Sequence, residues 1–384
     1  MWRGRWPVPV LPERVPPQSG QNAVTDTAII LPHREAFSVD RPGAIALTVA
    51  NQLEHEPDGS AIWGDPLHAA PLVPSVSYVG LATPKWWPAR QTVRYRWAIA
   101  RAIKRQNPQR LEIHNRAHLF HEFSHLKLGL SLYLHNDPQS IRGLKTPEDR
   151  QRVLMRADYV VAVSEFIRQR LCEGVSASLC ARVVVVPNTV DLTRFAPGTA
   201  KQKEILFVGR LIPEKGALPL LQALQTVLPR FPEWRARFIG AWHFGQTTAQ
   251  YPHERALLAT LQPQMRDRIL FDWYQPYEMV TTAFNRAAIA VVPSLWAEPF
   301  GRTALEGMAA GCAVIASNRG GLPEVIGEAG LLVEPTAEHL SAALTRLMSD
   351  DAHRQAIGAL AATRAQTVFE PSLIHEKINI LRRS

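Results

Sequence analysis

The sequence predicts an α/β protein of two doubly wound domains, each a parallel β-sheet covered by helices, with a cleft between them. Its 384 residues are enough for two domains of about 150 to 200 residues each. Short apolar runs alternate with helical stretches, and runs that are apolar on both faces are typical of parallel strands buried between helices. This rhythm stops once, in a segment rich in proline, glycine and charge at residues 191–203, and then restarts. We therefore expect one sheet before the break and another after it.

The apolar runs predict five strands in the first half: Thr27–Leu31, Leu111–His114, Ser131–His135, Tyr159–Val163 and Val183–Val186. They predict six strands in the second half: Ile205–Val208, Ala236–Ile239, Ile269–Phe271, Ala288–Val292, Ala313–Ala316 and Leu331–Val333. The final stretch, Pro371–Ser384, reads as a helix that crosses back to the first domain. The predicted bounds are a disordered, proline-rich extension at 1–24, a first domain at 25–194, a linker at 195–203, a second domain at 204–368 and a crossover helix at 369–384.

The composition is that of an ordinary globular protein, with 46% apolar and 20% charged residues. No apolar run reaches the roughly 18 residues that a transmembrane helix needs. The first 22 residues contain five prolines and no apolar centre, so we expect no signal peptide. The three cysteines, Cys172, Cys180 and Cys312, are few and odd in number, which favours a reducing compartment without disulfides. These observations predict a cytoplasmic protein.

Positive charge is concentrated in one segment of the first domain. The net charge is +9 (43 basic minus 34 acidic residues), and residues 85–110 contain eight basic residues and no acid. A helix at 89–106 would align one stripe of arginines, formed by Arg90, Arg94, Arg101 and Arg105. Beside it would lie an apolar stripe formed by Val93, Trp97 and Ala100, and Trp86 and Trp87 precede the helix. Tryptophan and basic side chains favour the surface of an anionic membrane, so we expect peripheral contact with the inner face of the cytoplasmic membrane. The alternative is a core-facing helix with a solvated back, and no recognition motif accompanies the charge to indicate nucleic acid.

The strongest chemical motif, residues 290–317, lies at the end of a predicted strand. A loop presents Glu298, and a helix begins after Gly301 with Thr303 as its expected N-cap. Glu306 lies in the first turns of that helix. Outward-pointing amides at a helix start bind phosphate, and flanking carboxylates accept hydrogen bonds from sugar hydroxyls. Capping and solvation are the alternative explanation for the two glutamates.

A second motif, GRLIPEKG, follows the first strand of the second half. Gly209 allows a tight turn there, and Arg210 and Lys215 lie beyond the strand end. An arginine fork and a mobile lysine charge are a complementary pair for a diphosphate. The chain contains no Walker A loop and no G-x-G-x-x-G fingerprint. It also contains no D-x-D pair, so we expect no metal site and no cofactor.

Taken together, five passages resemble the retaining nucleotide-sugar transferases of glycosyltransferase family 4, which have the GT-B fold of two Rossmann-like domains. The matching landmarks occur in their usual order: ADYVVAVSEFIRQRL (157–171), VVVVPNTVDLTRFAP (183–197), GRLIPEKG (209–216), PSLWAEPFGRTALEGMAAGCAVIAS (293–317) and GGLPEVIGEAGLLVEP (320–335). Two passages depart from the family. The usual PNGVD reads PNTVD, and the first strand–helix loop has one glycine, Gly43, where many relatives have two.

The resemblance implies a role for each matching position. The residues expected to carry catalysis are His114, Glu298, Arg210 and Lys215. Those expected to bind the donor are Gly43, Gly209, Arg210, Lys215, Glu298, Phe300, Gly301, Arg302, Thr303 and Glu306. The resemblance further implies that the anomeric configuration is retained and that the leaving phosphate takes the acceptor's proton.

A polar stretch at a neighbouring strand end, His135, Asn136 and Asp137, is a candidate acceptor site. An Asn-Asp-Pro turn explains it equally well. Arg142 and Lys145, a few residues further on, could pair with an anionic acceptor.

One motif favours a different enzyme class. HEFSH at 121–125 matches the H-E-x-x-H pattern of zinc peptidases, whose two histidines share one face of a helix. No clear third ligand follows, so a zinc peptidase is a remote alternative.

The sequence therefore predicts a retaining, metal-independent hexosyltransferase. We expect the second domain to bind a UDP- or GDP-linked sugar and the first to bind a cell-envelope glycan or lipid-linked acceptor, as in the synthesis of lipopolysaccharide, capsule or exopolysaccharide. Transfer to a soluble small molecule is the alternative.

Overall fold

A computed structural model describes residues 26–383, apart from residues 41, 54–58, 85, 87 and 244. The predicted extension at 1–24 lies outside the described residues, as do Lys85 and Trp87 of the basic segment. Within the described chain, strands and helices alternate in two series, each of which builds a parallel sheet covered on both faces. The predicted fold class is confirmed.

The first sheet has seven parallel strands in the order β3-β2-β1-β4-β5-β6-β7. Its strands are β1 Thr27–Ile30, β2 Ser60–Gly64, β3 Ser77–Gly80, β4 Arg110–His114, β5 Gly129–Leu134, β6 Tyr159–Ala162 and β7 Val183–Val185. Its helices are α1 Ala44–Leu53, α2 Gln91–Gln106, α3 Ala117–Phe123, α4 Pro147–Arg156, α5 Glu165–Cys172 and α6 Ala177–Cys180.

The second sheet has six parallel strands in the order β10-β9-β8-β11-β12-β13. Its strands are β8 Gln202–Val208, β9 Arg235–Ile239, β10 Ile269–Trp273, β11 Ala287–Val292, β12 Ala313–Ser317 and β13 Leu331–Val333. The helices of this half are α7 Ala217–Val227, α8 Pro252–Ala259, α9 Tyr277–Arg286, α10 Arg302–Ala309, α11 Leu322–Ile326, α12 Ala337–Ser349, α13 Asp351–Val368 and α14 Pro371–Arg383.

All eleven predicted strands are present, but the sequence patterns missed β2 and β3. β2 has an apolar run of only three residues, Ala61–Trp63, between a serine and a glycine. β3 is an edge strand of four residues whose side chains are partly exposed, so it lacks the apolar run of a central strand. β8 begins at Gln202, inside the segment expected to be a linker, because its first two residues extend the ladder beyond the apolar core of the strand.

The two domains contact each other through loops at the carboxyl ends of their strands. Ser164, which follows β6, donates a hydrogen bond from its hydroxyl to the carbonyl of Pro299, which follows β11, at 2.5 Å. The next amide, Glu165, donates to the Glu324 carboxylate at 2.7 Å. In open parallel sheets, ligands bind beyond the carboxyl ends of the strands. The fold thus places both binding edges on the same cleft.

Helix α14 returns from the second domain and packs on the first sheet, as predicted. Its Ile374 and Ile378 are buried in one apolar cluster with Tyr133. Arg382 makes two hydrogen bonds to the buried Glu112 of β4, at 2.7 and 2.9 Å. Because Glu112 is only 1% exposed, its charge depends on this partner.

The expectation of free cysteines is wrong for two of the three. Cys172 ends α5, Cys180 ends α6, and the turn between these helices brings their Cα atoms to 5.8 Å, where they form a disulfide. That separation is normal for a disulfide and depends on a tight helical turn that a cysteine count cannot reveal. Cys312 is free and buried.

Helix α2 is present, and the residues that it packs on the core are not those of the apolar stripe expected at a membrane surface. The residues that pack on the core are Tyr95, Ala98, Ile99, Ala102 and Ile103. Their spacing of three and four is that of an amphipathic helix. Val93, Trp97 and Ala100 therefore lie beside this face, and Trp97 remains 37% exposed with the Arg101 guanidinium 5.5 Å from its ring centre. No helix in the described residues is long and apolar enough to span a membrane.

The buried ion pair of α14 makes a prediction about stability. Replacing Arg382 by alanine would strand the Glu112 charge in the core and lower the free energy of unfolding by about 3–5 kcal/mol. Urea unfolding of the purified variants measures this change. The double substitution Glu112→Leu with Arg382→Leu should recover most of the loss, because it leaves no buried charge unpaired.

The control is Lys203→Ala, which breaks the exposed pair of Lys203 and Glu233. We expect it to cost at most about 1 kcal/mol. Equal losses for Arg382→Ala and Lys203→Ala would contradict the account of α14.

Candidate active site

The loops that follow β8 and β11 touch each other, because these strands are neighbours in the second sheet. The amide of Leu295 donates to the carbonyl of Glu214 at 2.8 Å. Gly216 has a positive φ of 73°, and a Cβ there would lie 1.8 Å from the carbonyl oxygen of Pro293. Only glycine permits this approach. The contact places the two predicted motifs side by side.

Two predicted residues, Lys215 and Glu298, form an ion pair at this contact. The ammonium Nζ of Lys215 lies 2.6 Å from Oε1 of Glu298, and the Ser294 hydroxyl donates to the same oxygen. Lys215 also lies over the ring of Trp296, with Nζ 5.2 Å from the ring centre. The Glu298 side chain is 9% exposed. Both charges are thereby fixed in orientation next to the open cleft.

Only one of the two carboxylate oxygens of Glu306 accepts hydrogen bonds from described groups. Its Oε1 accepts hydrogen bonds from Arg302 at 2.9 Å and from the Tyr277 hydroxyl at 3.1 Å. Arg302 also donates to the Tyr277 hydroxyl at 3.2 Å. No described group donates to Oε2 of Glu306. Arg302 was expected to contribute its backbone, and the structure shows that its side chain orients Glu306.

The turn from Phe300 to Thr303 differs from the prediction in its cap. The N-cap of α10 is Gly301, with φ 108° and no side-chain hydrogen bond, and Thr303 is the second residue of the helix. A Cβ at Gly301 would lie 2.4 Å from Leu322 Cδ2, and the positive φ also favours glycine at this position. The amides of Arg302 and Thr303 donate to no described group. Amides left open in this way can bind an anion.

Phe300 packs its side chain into the core, edge-to-face with Phe369, at a distance of 5.7 Å between the ring centres. Its predicted contribution to the donor site therefore rests on its backbone.

Arg210 lies on the rim of a cavity of about 220 Å³ at the carboxyl ends of β8 and β9. Its guanidinium lies 5.9 Å from the ring centre of Trp242, which lines the same cavity. Gly209 and Gly240 bring their backbones together here, since a Cβ on Gly240 would lie 2.0 Å from the Gly209 carbonyl oxygen. Tyr274 adds a second aromatic wall. The cavity therefore combines aromatic faces with a positive charge at its edge.

Glu254, which the sequence patterns missed, fixes the loop that carries Trp242. This carboxylate is fully buried and accepts four hydrogen bonds, from the Gln246 side chain and from the amides of Gln250, Tyr251 and Trp242, at 2.6 to 3.2 Å. Burial alone would raise its pKa, but the hydrogen bonds outweigh burial and lower the pKa. A capping-box glutamate two residues after Pro252 is the sequence signal that could have found it.

In the first domain, the structure pairs two predicted histidines. His114 ends β4 and His135 follows β5, and Nδ1 of His114 lies 2.9 Å from Nε2 of His135. The His114 ring stacks on Tyr133 at 4.7 Å and is 1% exposed. Burial, with a smaller contribution from the charge of Arg382, lowers the pKa of His114 to about 3. His114 is therefore a neutral imidazole near pH 7, and its buried Nε2 has no partner among the described residues.

The other two acceptor candidates differ in their surroundings. Asp137 accepts a hydrogen bond from the Gln139 amide at 2.9 Å and pairs with Arg170 at 3.1 Å. These contacts favour the turn as the explanation for Asp137. Asn136 is exposed.

Gly43 has a structural reason to be glycine. A Cβ there would lie 2.0 Å from the carboxylate of Glu35. Glu35 accepts hydrogen bonds from the amides of Ile45 and Ala46 at 2.8 and 3.1 Å, and burial raises its pKa. The start of α1 is thus already occupied by a carboxylate of this chain.

The geometry does not support the zinc-peptidase alternative. Helix α3 ends at Phe123, so His121 and His125 do not share a helical face. His121 is hydrogen-bonded to the Gly143 carbonyl at 3.0 Å, and Glu122 pairs with Arg96 at 2.9 Å. Among the described residues, no group of three His, Cys, Asp or Glu side chains is arranged to hold a metal ion.

Two family models match the chain in succession. Residues 52–194 match the one described as Glycosyltransferase Family 4, and residues 191–364 match the one described as Glycosyl transferases group 1. The putative glycosyltransferase YtcC of Bacillus subtilis (strain 168) is 30% identical over 254 residues, which cover 60% of this chain and 61% of that protein. The chain spans about three fifths of the length of the curated relatives it matches.

Two solved structures share the fold over nearly the whole chain. Sucrose-phosphate synthase from Thermosynechococcus elongatus superimposes with a TM-score of 0.75 at 20% identity, over 93% of this chain and 98% of that one. Anabaena Alr3699/HepE, solved in complex with UDP and glucose, has a TM-score of 0.72 at 17% identity, over 94% and 100% of the two chains.

The buried histidine pair makes a prediction about pH. Because the pKa of His114 is lower in the folded than in the unfolded chain, the unfolded chain binds a proton first as the pH falls below about 6.5. Stability should therefore fall between about pH 6.5 and pH 3, by up to about 1.4 kcal/mol per pH unit from this group. Urea unfolding at a series of pH values should show a shallower dependence for His114→Gln.

The matched control is His339→Gln, at an exposed position on α12. It should retain the wild-type dependence. If His114→Gln is as sensitive to acid as the wild type, the buried neutral state of His114 is wrong.

Proposed function

We propose that the chain is a group 1 glycosyltransferase of the GT-B fold, and that it transfers a hexose from a UDP- or GDP-linked donor with retention of configuration. The proposed acceptor is a cell-envelope glycan or a lipid-linked glycan. The observation that carries the proposal is the contact between the loops after β8 and β11, which sets Lys215 against Glu298 beside the cavity edged by Arg210.

The donor is expected to lie along this edge of the second sheet. The cavity beside Trp242 and Tyr274 has the aromatic walls that suit a nucleobase. Arg210, Lys215 and the open amides of Arg302 and Thr303 supply the positive field for a diphosphate. The free Oε2 of Glu306 is a hydrogen-bond acceptor for ribose hydroxyls, and Glu298 is one for the hydroxyls of the transferred sugar.

The proposed reaction needs no covalent enzyme intermediate. The bond between the anomeric carbon and the leaving phosphate oxygen breaks, and the acceptor oxygen bonds to the same carbon from the same face. The acceptor's proton passes to the leaving phosphate. Arg210 and Lys215 stabilise the charge that develops on the diphosphate, and neutral His114 offers Nε2 as a hydrogen-bonding group for the sugar. We propose that these residues act without a metal ion or cofactor.

The envelope acceptor is supported by the exposed side of α2. Trp86 is 84% exposed, and Trp97, Arg101, Lys104 and Arg105 are exposed on or beside the helix. Exposed tryptophan next to basic side chains fits the interface of an anionic leaflet. A soluble acceptor is the second candidate, and the structural likeness to a sucrose-phosphate synthase is the observation that favours it.

The first test is donor binding. Replacing Arg210 by alanine should weaken binding of UDP or GDP about ten- to a hundredfold, because a charge-assisted hydrogen bond contributes about 1.5–3 kcal/mol. Isothermal titration calorimetry with both nucleotides measures the effect. Arg266→Ala removes an exposed arginine at the opposite edge of the sheet, before β10, and should leave the affinity unchanged. Unaltered nucleotide binding in Arg210→Ala would refute the proposed donor site.

The second test concerns the membrane. Substituting Arg101, Lys104 and Arg105 together by glutamine should weaken binding to anionic vesicles about a hundredfold, at about 1 kcal/mol for each charge. Co-sedimentation with phosphatidylcholine vesicles, with and without phosphatidylglycerol, measures it. The triple substitution of Arg235, Arg266 and Arg346, exposed on the second domain, removes the same charge and should have little effect. Binding that ignores the anionic lipid counts against a membrane-bound acceptor.

A further inference from the structure

Three basic side chains meet beside α3 in the first domain, away from the residues assigned to the donor. Arg116 immediately precedes α3, and His118 lies in its first turn. The loop that carries Arg142 packs on the same helix, because the Gly143 carbonyl is hydrogen-bonded to His121 at 3.0 Å. A Cβ on Gly143 would also lie 3.6 Å from that of Ala117. The sequence brings these residues from two different strand ends to one place.

The three groups interact electrostatically. Burial lowers the pKa of His118, and the charges of Arg116 and Arg142 lower it further. Two neighbouring carboxylates reduce this positive field only in part, since both are already engaged. Glu35 accepts hydrogen bonds from the start of α1, and Glu122 pairs with Arg96 at 2.9 Å.

The hydrogen-bonding capacity of the cluster is largely unused. Within the described part of the chain, neither His118 nor Arg142 has a side-chain hydrogen bond or ion pair. Arg116 donates only to the carbonyl of its neighbour Asn115, at 3.2 Å. Two arginine forks and an imidazole with only this one hydrogen bond among their side chains can bind a phosphate with several charge-assisted hydrogen bonds.

The cluster lies where an acceptor would be. Arg116 is two residues beyond His114, at the carboxyl end of β4. The carboxyl edge of this sheet faces the second domain, as the hydrogen bond from Ser164 to Pro299 shows. Pro299 directly follows Glu298, so the cluster and the donor loops belong to one cleft but to opposite domains.

We propose that Arg116, His118 and Arg142 form an acceptor subsite that binds a phosphate group carried by the acceptor. This inference rests on the proposed function, in which the second domain holds the nucleotide. The phosphate could belong to a soluble sugar phosphate or to a phosphorylated lipid headgroup, since both present the same oxygen atoms.

The experiment first measures the dissociation constants of UDP and GDP for the wild type and for each variant. It then measures the thermal midpoint with and without inorganic phosphate, at a saturating concentration of the nucleotide that binds. Phosphate should raise the thermal midpoint of the wild type relative to chloride at equal ionic strength, because a ligand of the native state stabilises it. The double variant Arg116→Gln with Arg142→Gln should lose about ten- to a hundredfold in phosphate affinity. Lys127→Gln, exposed just before β5 at the other edge of the same sheet, is the matched control and should behave as wild type.

The outcomes separate the two proposals. A wild type that binds neither nucleotide refutes the donor site. If the wild type binds a nucleotide but phosphate does not raise its thermal midpoint, the phosphate subsite alone is overturned. The same holds if phosphate raises the thermal midpoint of the double variant as much as that of the wild type. A double variant that loses nucleotide affinity also overturns the phosphate subsite, because the cluster then belongs to the donor diphosphate.

Two further arms identify the source of the phosphate. Glycerol 3-phosphate stands for a soluble phosphate ester, and phosphatidylcholine vesicles containing phosphatidic acid stand for a lipid headgroup. The subsite is supported by whichever probe binds the wild type about ten- to a hundredfold more tightly than the double variant. Equal binding of both proteins to both probes overturns it.

Discussion

The candidate site depends on one close approach, between Gly216 and the carbonyl oxygen of Pro293. A side chain at Gly216 would overlap this oxygen, so any other residue would force the loops after β8 and β11 apart. With the loops apart, Lys215 would no longer reach Glu298, and the paired charges would separate into two solvated ones. The backbone contact thus decides whether two short motifs, 83 residues apart at their ion pair, act as one site.

Buried carboxylates set the orientation of the site before any ligand arrives. Glu254 accepts four hydrogen bonds at the loop that carries Trp242 and is fully buried, so it orders the cavity wall and is not accessible to a ligand. Glu306 is held through Oε1 by Arg302 and Tyr277, and its other oxygen stays open. The same residue type is therefore a scaffold in one place and the proposed binding group in the other, and the two differ in the number of protein donors that each carboxylate meets.

The sequence was sufficient to predict two parallel sheets and eleven of the thirteen strands in the described residues, because parallel strands buried on both faces leave continuous apolar runs. It was insufficient wherever the outcome depends on contacts between distant residues. The edge strand β3 has no such run, and the Cys172–Cys180 bond depends on a turn between two helices. Thr303 is a good cap by composition, but the helix already begins at Arg302, after Gly301 with a φ of 108°, so Thr303 is its second residue. Glu254 was missed because three of its four donors are backbone amides, which every sequence contains.

The distribution of charge assigns different work to the two domains. In the first domain, the start of α1 is filled by Glu35, so its amides are not open to a diphosphate. In the second, the start of α10 has no side-chain cap, and Arg210 and Lys215 lie at the same sheet edge. The proposed donor diphosphate would therefore meet these positive groups in the second domain, whereas burial keeps His114 of the first domain neutral. A neutral imidazole does not compete for the diphosphate, which agrees with the proposal that His114 forms a hydrogen bond with the sugar.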